Sequence, residues 1–341
     1  MMDKSENIYP YLFKPVYKDY LWGGNRIKET YHRMDTPERC AESWEIADRP
    51  EGMSIVENGP LKGHTLRQLV ETLQTDLLGP QHKACTKFPL LIKIIDARKD
   101  LSVQVHPHDD NAERTNGEPK TEMWYLLDAT SDAMVYAGMK PDVTPDIFQA
   151  AIEDGKVENL LAKVPAKPGR TIFVPGGKVH AIGAGCLLLE IQQNSNTTYR
   201  VYDWNRVDAQ GKSRELHIEQ AMQVIDWQRL KPEVSSPRPM AADGNNHPYE
   251  ILKTSYFCTT GWNLQEPRTF RMDPAGFRIL FVSKGKVLIG ANGVMASATI
   301  GTSCLIPAAA KQFTVTPVDG KASIVEIQGP PLRSSPADSD T

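Results

Sequence analysis

Two histidines, one glutamate and one glutamine have the types and spacing of a catalytic metal site. Gln104 and His106 stand two residues apart in a segment with strand character, and Glu122 and His180 follow downstream. Side chains two apart on a strand point to the same face, so Gln104 and His106 can reach one ion. Two nitrogens, a carboxylate and an amide oxygen leave coordination positions open for water or substrate. The pattern therefore predicts a metalloenzyme built from β-strands.

Short strands interrupted by glycine and proline make up most of the chain. They are predicted at 88–97, 101–106, 122–127, 171–176, 186–193, 277–285, 286–291 and 322–329. Such a series is typical of a β-sandwich or barrel. Three helices are predicted at 65–78, 145–154 and 217–227, and a capping box of Thr65 and Gln68 begins the first. The helices are expected to cover a β core.

The strongest local motif is the segment 169–180, GRTIFVPGGKVH. Its glycines and proline predict a tight turn between two strands, after which His180 points into the barrel. The spacing G-x5-P-x-G-x2-H resembles the second cupin motif, with Ala184 at that motif's asparagine position. The first cupin motif is modified too, since Gln104 and His106 replace its HxH and the glutamate lies farther downstream.

These departures resemble the short bacterial form of the type I mannose-6-phosphate isomerases. Eight segments carry the resemblance, in the family's order: YLWGG (20–24), ESWEIADRPEG (42–52), NGPLKG (58–63), FPLLIKIIDA (88–97), LSVQVHP (101–107), KTEMWY (120–125), VPGGKVHAI (174–182) and YRVYDWNR (199–206). As a set they are specific to that family, whereas any one of them alone would be weak. The C-terminal third resembles the family only as a generic β-barrel.

The resemblance implies a site with one zinc ion per chain. The implied ligands are His106, Glu122, His180 and, as a fourth, Gln104. The implied catalytic residues are Arg200 and Lys120, and the implied substrate-binding residues are Lys93, Ser102 and Asp203. Lys120 would share a strand face with Glu122 and so lie beside the metal.

The implied reaction is the reversible isomerisation of mannose 6-phosphate to fructose 6-phosphate. A proton moves between C1 and C2 through a cis-enediolate, which concentrates negative charge on O1 and O2. A divalent cation can polarise these oxygens, and the guanidinium of Arg200 can stabilise the developing anion. Lys93 would add positive charge and Ser102 a hydroxyl for the phosphate. The residue that carries the proton is left open, because His, Glu, Asp and Lys are all suitable bases.

Four site residues also have a structural interpretation. Gln104 could hydrogen-bond a metal ligand instead of binding the ion itself. Lys93 could extend along apolar surface to water, although a lysine inside an apolar strand must find a charge partner or a wet cavity. Arg200 and Asp203 could form an ion pair with no role in the reaction.

The predicted architecture is mainly β, with two cupin-type jelly-roll barrels and a few peripheral α-helices. A catalytic domain with N-terminal strands and helical insertions is expected at 1–235, and a C-terminal β-barrel at 236–329. The boundary is placed in an aperiodic, Pro- and Ser-rich stretch at 231–248. The last segment, 330–341, is predicted to be a disordered tail.

Composition limits the partners that the chain can be expected to bind. With a formal net charge of -3, nothing indicates nucleic acid or a membrane surface, and the expected partner is a small sugar phosphate. Five scattered cysteines and the lack of a signal-peptide pattern favour the cytoplasm. The oligomeric state is not indicated. Two other functions fit a cupin scaffold: an iron-dependent oxygenase and a non-catalytic sugar-phosphate sensor.

Overall fold

The computed structural model describes residues 4–207, 210–272 and 276–330. Strands far outnumber helices in these segments, which confirms the predicted mainly β fold. Of the predicted tail at 330–341, all but the first residue lies outside the described residues.

The described residues form the following secondary structure in chain order. The strands are β1 (Tyr11–Lys14), β2 (Val16–Lys18), β3 (Glu42–Ile46), β4 (Asp48–Arg49), β5 (Gly52–Met53), β6 (Ile55–Val56), β7 (Leu90–Ala97), β8 (Val103–Val105), β9 (Glu122–Ala129), β10 (Met134–Met139), β11 (Leu161–Pro165), β12 (Thr171–Val174), β13 (His180–Ile182), β14 (Cys186–Gln193), β15 (Tyr199–Tyr202), β16 (Glu233–Ser235), β17 (Arg238–Pro239), β18 (His247–Lys253), β19 (Cys258–Leu264), β20 (Arg268–Arg271), β21 (Arg278–Lys284), β22 (Lys286–Ala291), β23 (Val294–Thr299), β24 (Ser303–Ile306), β25 (Gln312–Pro317) and β26 (Ala322–Gln328). The α-helices are α1 (Arg26–Tyr31), α2 (Leu66–Leu73), α3 (Thr75–Leu78), α4 (Pro145–Glu153) and α5 (Ile218–Val224).

The chain divides into two compact units, and the first comprises Val16–Trp44 and Leu90–Ser236. It holds a seven-stranded sheet in the order β16-β12-β9-β14-β7-β3-β2 and a five-stranded sheet in the order β11-β10-β13-β8-β15. One apolar core includes Trp124 from the larger sheet and both Val135 and Ile182 from the smaller one. This unit, called the sandwich unit below, is therefore a two-sheet β-sandwich.

Helices cover the outer face of the five-stranded sheet. A second apolar core joins Val103 and Val105 of β8 to Phe148 of α4 and Val224 of α5. The alternation of a strand predicts this arrangement, since it sends the two valines outward and Gln104 to the sandwich interior. Among the described residues, no helix is long and apolar enough to cross a membrane.

The second unit comprises Met1–Pro15, Glu45–Pro89 and Pro237–Thr341. Its larger sheet has the strand order β17-β18-β19-β26-β21-β24-β1-β6, and its smaller sheet has the order β20-β25-β22-β23. The rings of Trp262 and Phe270 meet edge to face with centroids 5.2 Å apart, which joins one sheet to the other. That each unit forms one closed barrel stays a prediction.

The units are not continuous in sequence. The predicted boundary at 235/236 lies beside the junction Ser236–Pro237, but two earlier segments belong to the unit that holds the C-terminal strands. The reason is strand pairing: β1 pairs with β24, whereas β2, one residue later, pairs with β3. The domains at 1–235 and 236–329 as independent folding units stay a prediction.

The helix predicted at 65–78 is interrupted. Its first part, α2, begins with the predicted capping box. In this box, Thr65 Oγ1 accepts a hydrogen bond from the backbone N–H of Gln68 over 3.1 Å. At Gln74 the backbone adopts a φ of 46°, and α3 follows as a separate turn. The apolar stripe continues across the break, because Leu73 and Leu77 are both buried. Burial of the stripe thus does not require one continuous helix.

We expect Thr65→Ala to lower the free energy of unfolding by about 1 kcal/mol, the usual effect of losing a helix N-cap. The substitution removes the hydroxyl that accepts from the backbone N–H of Gln68, which has no other partner in the helix, and leaves the rest of the helix unchanged. The matched control is Thr72→Ala in the same helix, where the exposed hydroxyl donates only to the Gln68 carbonyl. Urea unfolding followed by circular dichroism measures both, and equal midpoints would contradict a stabilising role for the cap.

Candidate metal centre

A row of cross-strand neighbours on the five-stranded sheet brings three polar side chains together. His180 on β13 pairs with Gln104 on β8, which in turn pairs with Arg200 on β15. His106 directly follows β8, two residues beyond Gln104, and its side chain is on the same side of the sheet. The two predicted nitrogen ligands thus come from neighbouring strands of one sheet.

A second row lies on the seven-stranded sheet. Trp124 on β9 pairs with Glu190 on β14, and Glu190 pairs with Lys93 on β7. Glu122 and Lys120 precede Trp124 by two and four residues, so the strand period places all three on one face. The carboxylate ligand therefore comes from the opposite sheet to the two histidines.

His106, Glu122 and His180 form a compact triad of possible metal ligands. The two Nε2 atoms of the histidines are 3.1 Å apart. Glu122 Oε2 lies 3.5 Å from His106 Nε2, and Glu122 Oε1 lies 3.5 Å from His180 Nε2. Nitrogen ligands of a tetrahedral zinc, each about 2.0–2.1 Å from the ion, are separated by about 3.3 Å. The three residues therefore fit one ion of this size.

Both histidines of the triad are set up as neutral imidazoles. Burial lowers the pKa of His106 to about 3, and the nearby charge of Lys120 adds to this effect. Burial also lowers the pKa of His180, whose Nδ1 lies 2.7 Å from the carbonyl oxygen of Lys178. A donated Nδ1 proton leaves the Nε2 lone pair facing the triad, as a metal ligand requires.

The carboxylate of Glu122 is held in its ionised form. Burial alone would raise its pKa, but the nearby positive charge of Lys120, the largest opposing cause, helps to hold the pKa well below its usual range. Lys120 Nζ lies 2.9 Å from Glu122 Oε2 and 3.0 Å from His106 Nε2. The triad thus combines a negative charge with two neutral nitrogens, a donor set that suits a divalent cation.

Gln104 lies beside the triad, where a fourth ligand would be expected. Its Nε2 is 3.4 Å from His180 Nε2, and its Oε1 is 3.5 Å from the hydroxyl of Ser102. Exchanging the two ends of the amide by rotation would turn the oxygen toward the triad. Direct ligation by Gln104 stays a prediction.

A cavity of about 290 Å³ opens against the triad. Five predicted site residues line it: Lys93, Ser102, Gln104, Lys120 and Arg200. The three ligands themselves are almost completely buried, so the triad is reached past Gln104 and Lys120. The cavity can therefore hold a small polar molecule next to the ion.

Asp203 lies outside this group and lines a second cavity of about 550 Å³. The sequence had suggested an ion pair between Asp203 and Arg200. In the structure, Asp203 instead forms ion pairs with Arg214 and Arg206. Arg214 Nε donates to Asp203 Oδ2 over 2.7 Å, and these contacts lower the pKa of Asp203 although burial opposes the shift. Arg214 lines both cavities, so Asp203 can orient a cation that faces the smaller one. Substrate binding by Asp203 itself stays a prediction.

Arg200 faces both cavities with part of its guanidinium available. One terminal nitrogen donates to the carbonyl oxygen of Glu215 over 2.8 Å. The Nε atom is buried and has no hydrogen-bond partner among the described residues. Burial and the nearby charge of Arg214 lower the pKa of Arg200. Arg200 lines the smaller cavity, so an anion bound there would lie beside a positive charge.

Two buried glutamates of the site were not predicted. Lys93 Nζ lies 3.1 Å from Glu190 and 3.6 Å from Glu42. These two carboxylates are the charge partners that a buried lysine requires. The pKa of Glu190 is raised by burial and by the charge of Glu122. The signal was present in the sequence, because Glu190 interrupts an apolar strand just as Lys93 does.

Comparisons with known proteins identify the family. Two protein-family models match the chain. Residues 11–145 match the family model for phosphomannose isomerase type I, catalytic domain, and residues 249–327 match the family model for mannose-6-phosphate isomerase, cupin domain. The chain is 37% identical to the probable mannose-6-phosphate isomerase GmuF of Bacillus subtilis, over 90% of this chain and 96% of that protein. The chain belongs to the type I mannose-6-phosphate isomerase family.

Other members of this mannose-6-phosphate isomerase family extend the similarity to the whole fold. The mannose-6-phosphate isomerase ManA of Bacillus subtilis is 39% identical over 81% of this chain and 86% of its own length. A crystal structure of the mannose 6-phosphate isomerase from Bacillus subtilis superposes with a TM-score of 0.84 at 30% identity, covering 93% of this chain and 99% of that one. The family resemblance seen in the sequence is confirmed. It extends into the C-terminal third, where the sequence had shown only a generic β-barrel.

We expect Glu122→Gln to weaken zinc binding by more than about 100-fold, beyond the usual 10–100-fold effect of an outer-shell partner. The amide keeps the shape of the side chain but loses the negative ligand. Metal content after dialysis and competition with a chelator measure the effect. Glu113→Gln, an exposed residue, is the matched control. Retention of zinc by Glu122→Gln would exclude this carboxylate as a ligand.

Proposed function

We propose that the chain is a zinc-dependent enzyme that interconverts mannose 6-phosphate and fructose 6-phosphate through a cis-enediolate. The observation that carries the proposal is the buried triad of His106, Glu122 and His180 beside a cavity lined by lysine and arginine. Family membership supplies the sugar phosphate, since the relatives are named as mannose-6-phosphate isomerases.

The donor set supports one zinc ion per chain. Two imidazoles and a carboxylate suit zinc, with Gln104 as the fourth ligand. Charge supports the same conclusion, because Glu42, Glu122 and Glu190 are buried with only Lys93 and Lys120 as buried lysine partners. A bound zinc ion would supply Lewis-acid polarisation of the sugar's C1 and C2 oxygens.

The chain's own cations are placed to stabilise the charge that develops during isomerisation. Lys120 contacts the triad and lines the cavity, so its ammonium can reach an oxygen bound beside the ion. Arg200 comes from the opposite sheet and lines the same cavity. Fixed positive groups of this kind need little reorganisation as an oxyanion forms.

The remaining cavity residues would hold and orient the open-chain sugar phosphate. Lys93 is fixed between two glutamates, and Ser102 presents its hydroxyl to the same cavity. The dianionic phosphate requires cations, and Arg200 and Arg214 line the cavity as well. A cytoplasmic location, with no nucleic acid or membrane partner, stays a prediction from composition.

A coupled assay on the purified protein tests the proposal. Mannose 6-phosphate is supplied, fructose 6-phosphate formation is followed, and a chelator and then zinc are added. We expect turnover to disappear with the chelator and to return with zinc. Binding of the sugar phosphate without turnover by zinc-loaded protein would contradict the proposal and favour a sensor. Oxygen uptake by iron-loaded protein would favour an oxygenase instead.

We expect Arg200→Ala to lower kcat/KM by about a hundredfold or more, the scale of one charge-stabilising donor. Because Arg200 does not touch the triad, zinc content should stay at the level of the unaltered protein. Arg238→Ala is the control, since that side chain is 80% exposed in the second unit. Normal turnover of Arg200→Ala would remove Arg200 from the catalytic group.

A further inference from the structure

Trp124 connects the metal triad to the wall of the smaller cavity through one indole N–H group. The side chain is fully buried on β9, two residues after Glu122 and on the same strand face. Its Nε1 lies 3.0 Å from Glu122 Oε1 and 3.2 Å from Glu190 Oε1. One donor is thus shared between a triad carboxylate and a carboxylate that lines the cavity.

The contact of Trp124 completes the support of the Glu122 carboxylate. Oε1 accepts from the indole, and Oε2 lies 2.9 Å from Lys120 Nζ. Oε1 is thus hydrogen-bonded from outside the triad, whereas Oε2 has an ion-pair contact but no hydrogen bond among the described residues, and each oxygen is 3.5 Å from a histidine Nε2. Rotation of the carboxylate about its last bond would break both contacts.

The indole is chemically suited to lie between two carboxylates. It can only donate, so neither an acceptor nor a negative charge approaches the two anions from this side. Glu122 and Glu190 repel each other, and a shared proton donor reduces that repulsion in a buried site. The indole ring also contacts the His180 ring edge to face, with centroids 5.5 Å apart, and so restricts the orientation of that imidazole.

We propose that Trp124 is a positioning residue of the metal centre, whose indole N–H fixes the orientation of the Glu122 carboxylate and ties it to Glu190. Metal affinity then depends on a hydrogen bond one step removed from the ion. The inference rests on the metal centre of the proposed function and adds to it a residue that does not bind the ion.

The test is the zinc affinity of Trp124→Phe, which keeps an aromatic ring and removes the N–H group. Competition with a chromogenic chelator gives the dissociation constant without any measurement of activity. We expect zinc binding to weaken by about 10- to 100-fold, the usual effect of losing an outer-shell partner. Unfolding of the metal-free protein is measured in parallel, because lost packing lowers stability whether or not Glu122 is reoriented.

Trp262→Phe is the matched control. Trp262 Nε1 donates to Glu326 over 3.1 Å, so the substitution also removes one indole hydrogen bond from a buried glutamate. Trp262 belongs to the second unit, whereas the metal triad belongs to the sandwich unit. Its zinc dissociation constant should equal that of the unaltered protein, which separates a local effect at Glu122 from general destabilisation.

Failure of this inference and failure of the metal centre give different results. If the unaltered protein does not bind zinc, the metal centre itself is wrong. If the unaltered protein and Trp124→Phe bind zinc equally well, the positioning role of Trp124 is overturned. Should Trp124→Phe not fold, the indole ¹⁵N–¹H signals of the unaltered protein decide. The Trp124 signal is expected to shift on zinc addition and that of Trp262 to stay, and an unmoved Trp124 signal would also overturn the proposal.

Discussion

Buried negative charge is the constraint on which the sandwich unit depends. An ionised carboxylate inside a protein is costly unless it is paired and hydrogen-bonded. Here Glu42 and Glu190 share Lys93, and Glu122 contacts Lys120. Each charge is buried only because its neighbour is present, so the group is interdependent: removal of one member leaves another unpaired. Apolar side chains cannot fill this region, and a polar cavity remains within an otherwise mainly apolar core.

The pairing of the strands determines where these groups lie. In the seven-stranded sheet, Trp124, Glu190 and Lys93 are direct partners on three adjacent strands, and in the five-stranded sheet His180, Gln104 and Arg200 are partners in the same way. Side chains on regular strands of a closed core have little freedom to move, which is the precision that a metal site needs. Most of the candidate site residues therefore stand on strands, and the others flank a strand end: Ser102, His106, Lys120 and Asp203.

The local part of the site could be predicted from the sequence, whereas the long-range part could not. The two-residue period placed Gln104 and His106 on one face and Val103 and Val105 on the other, and Thr65 with Gln68 marked a helix start. The register between strands cannot be predicted in this way. The pairing of Glu190 with both Trp124 and Lys93 depends on how strands that are distant in the sequence align. The same limit explains why the pairing of β1 with β24 escaped a division of the chain by sequence position.

The position of the triad also links metal binding to the stability of the sandwich. His180 belongs to the five-stranded sheet and His106 directly follows strand β8 of that sheet, whereas Glu122 belongs to the seven-stranded sheet. Neither sheet alone supplies a complete ligand set, so an ion can be bound tightly only when the two sheets are packed face to face. A bound ion would join them and would offset the buried negative charge between them. Binding free energy that depends on a folded arrangement contributes to the stability of that arrangement. In the proposed holoenzyme, the metal that would polarise the substrate would therefore also help to hold together the core that positions Arg200 and Lys120.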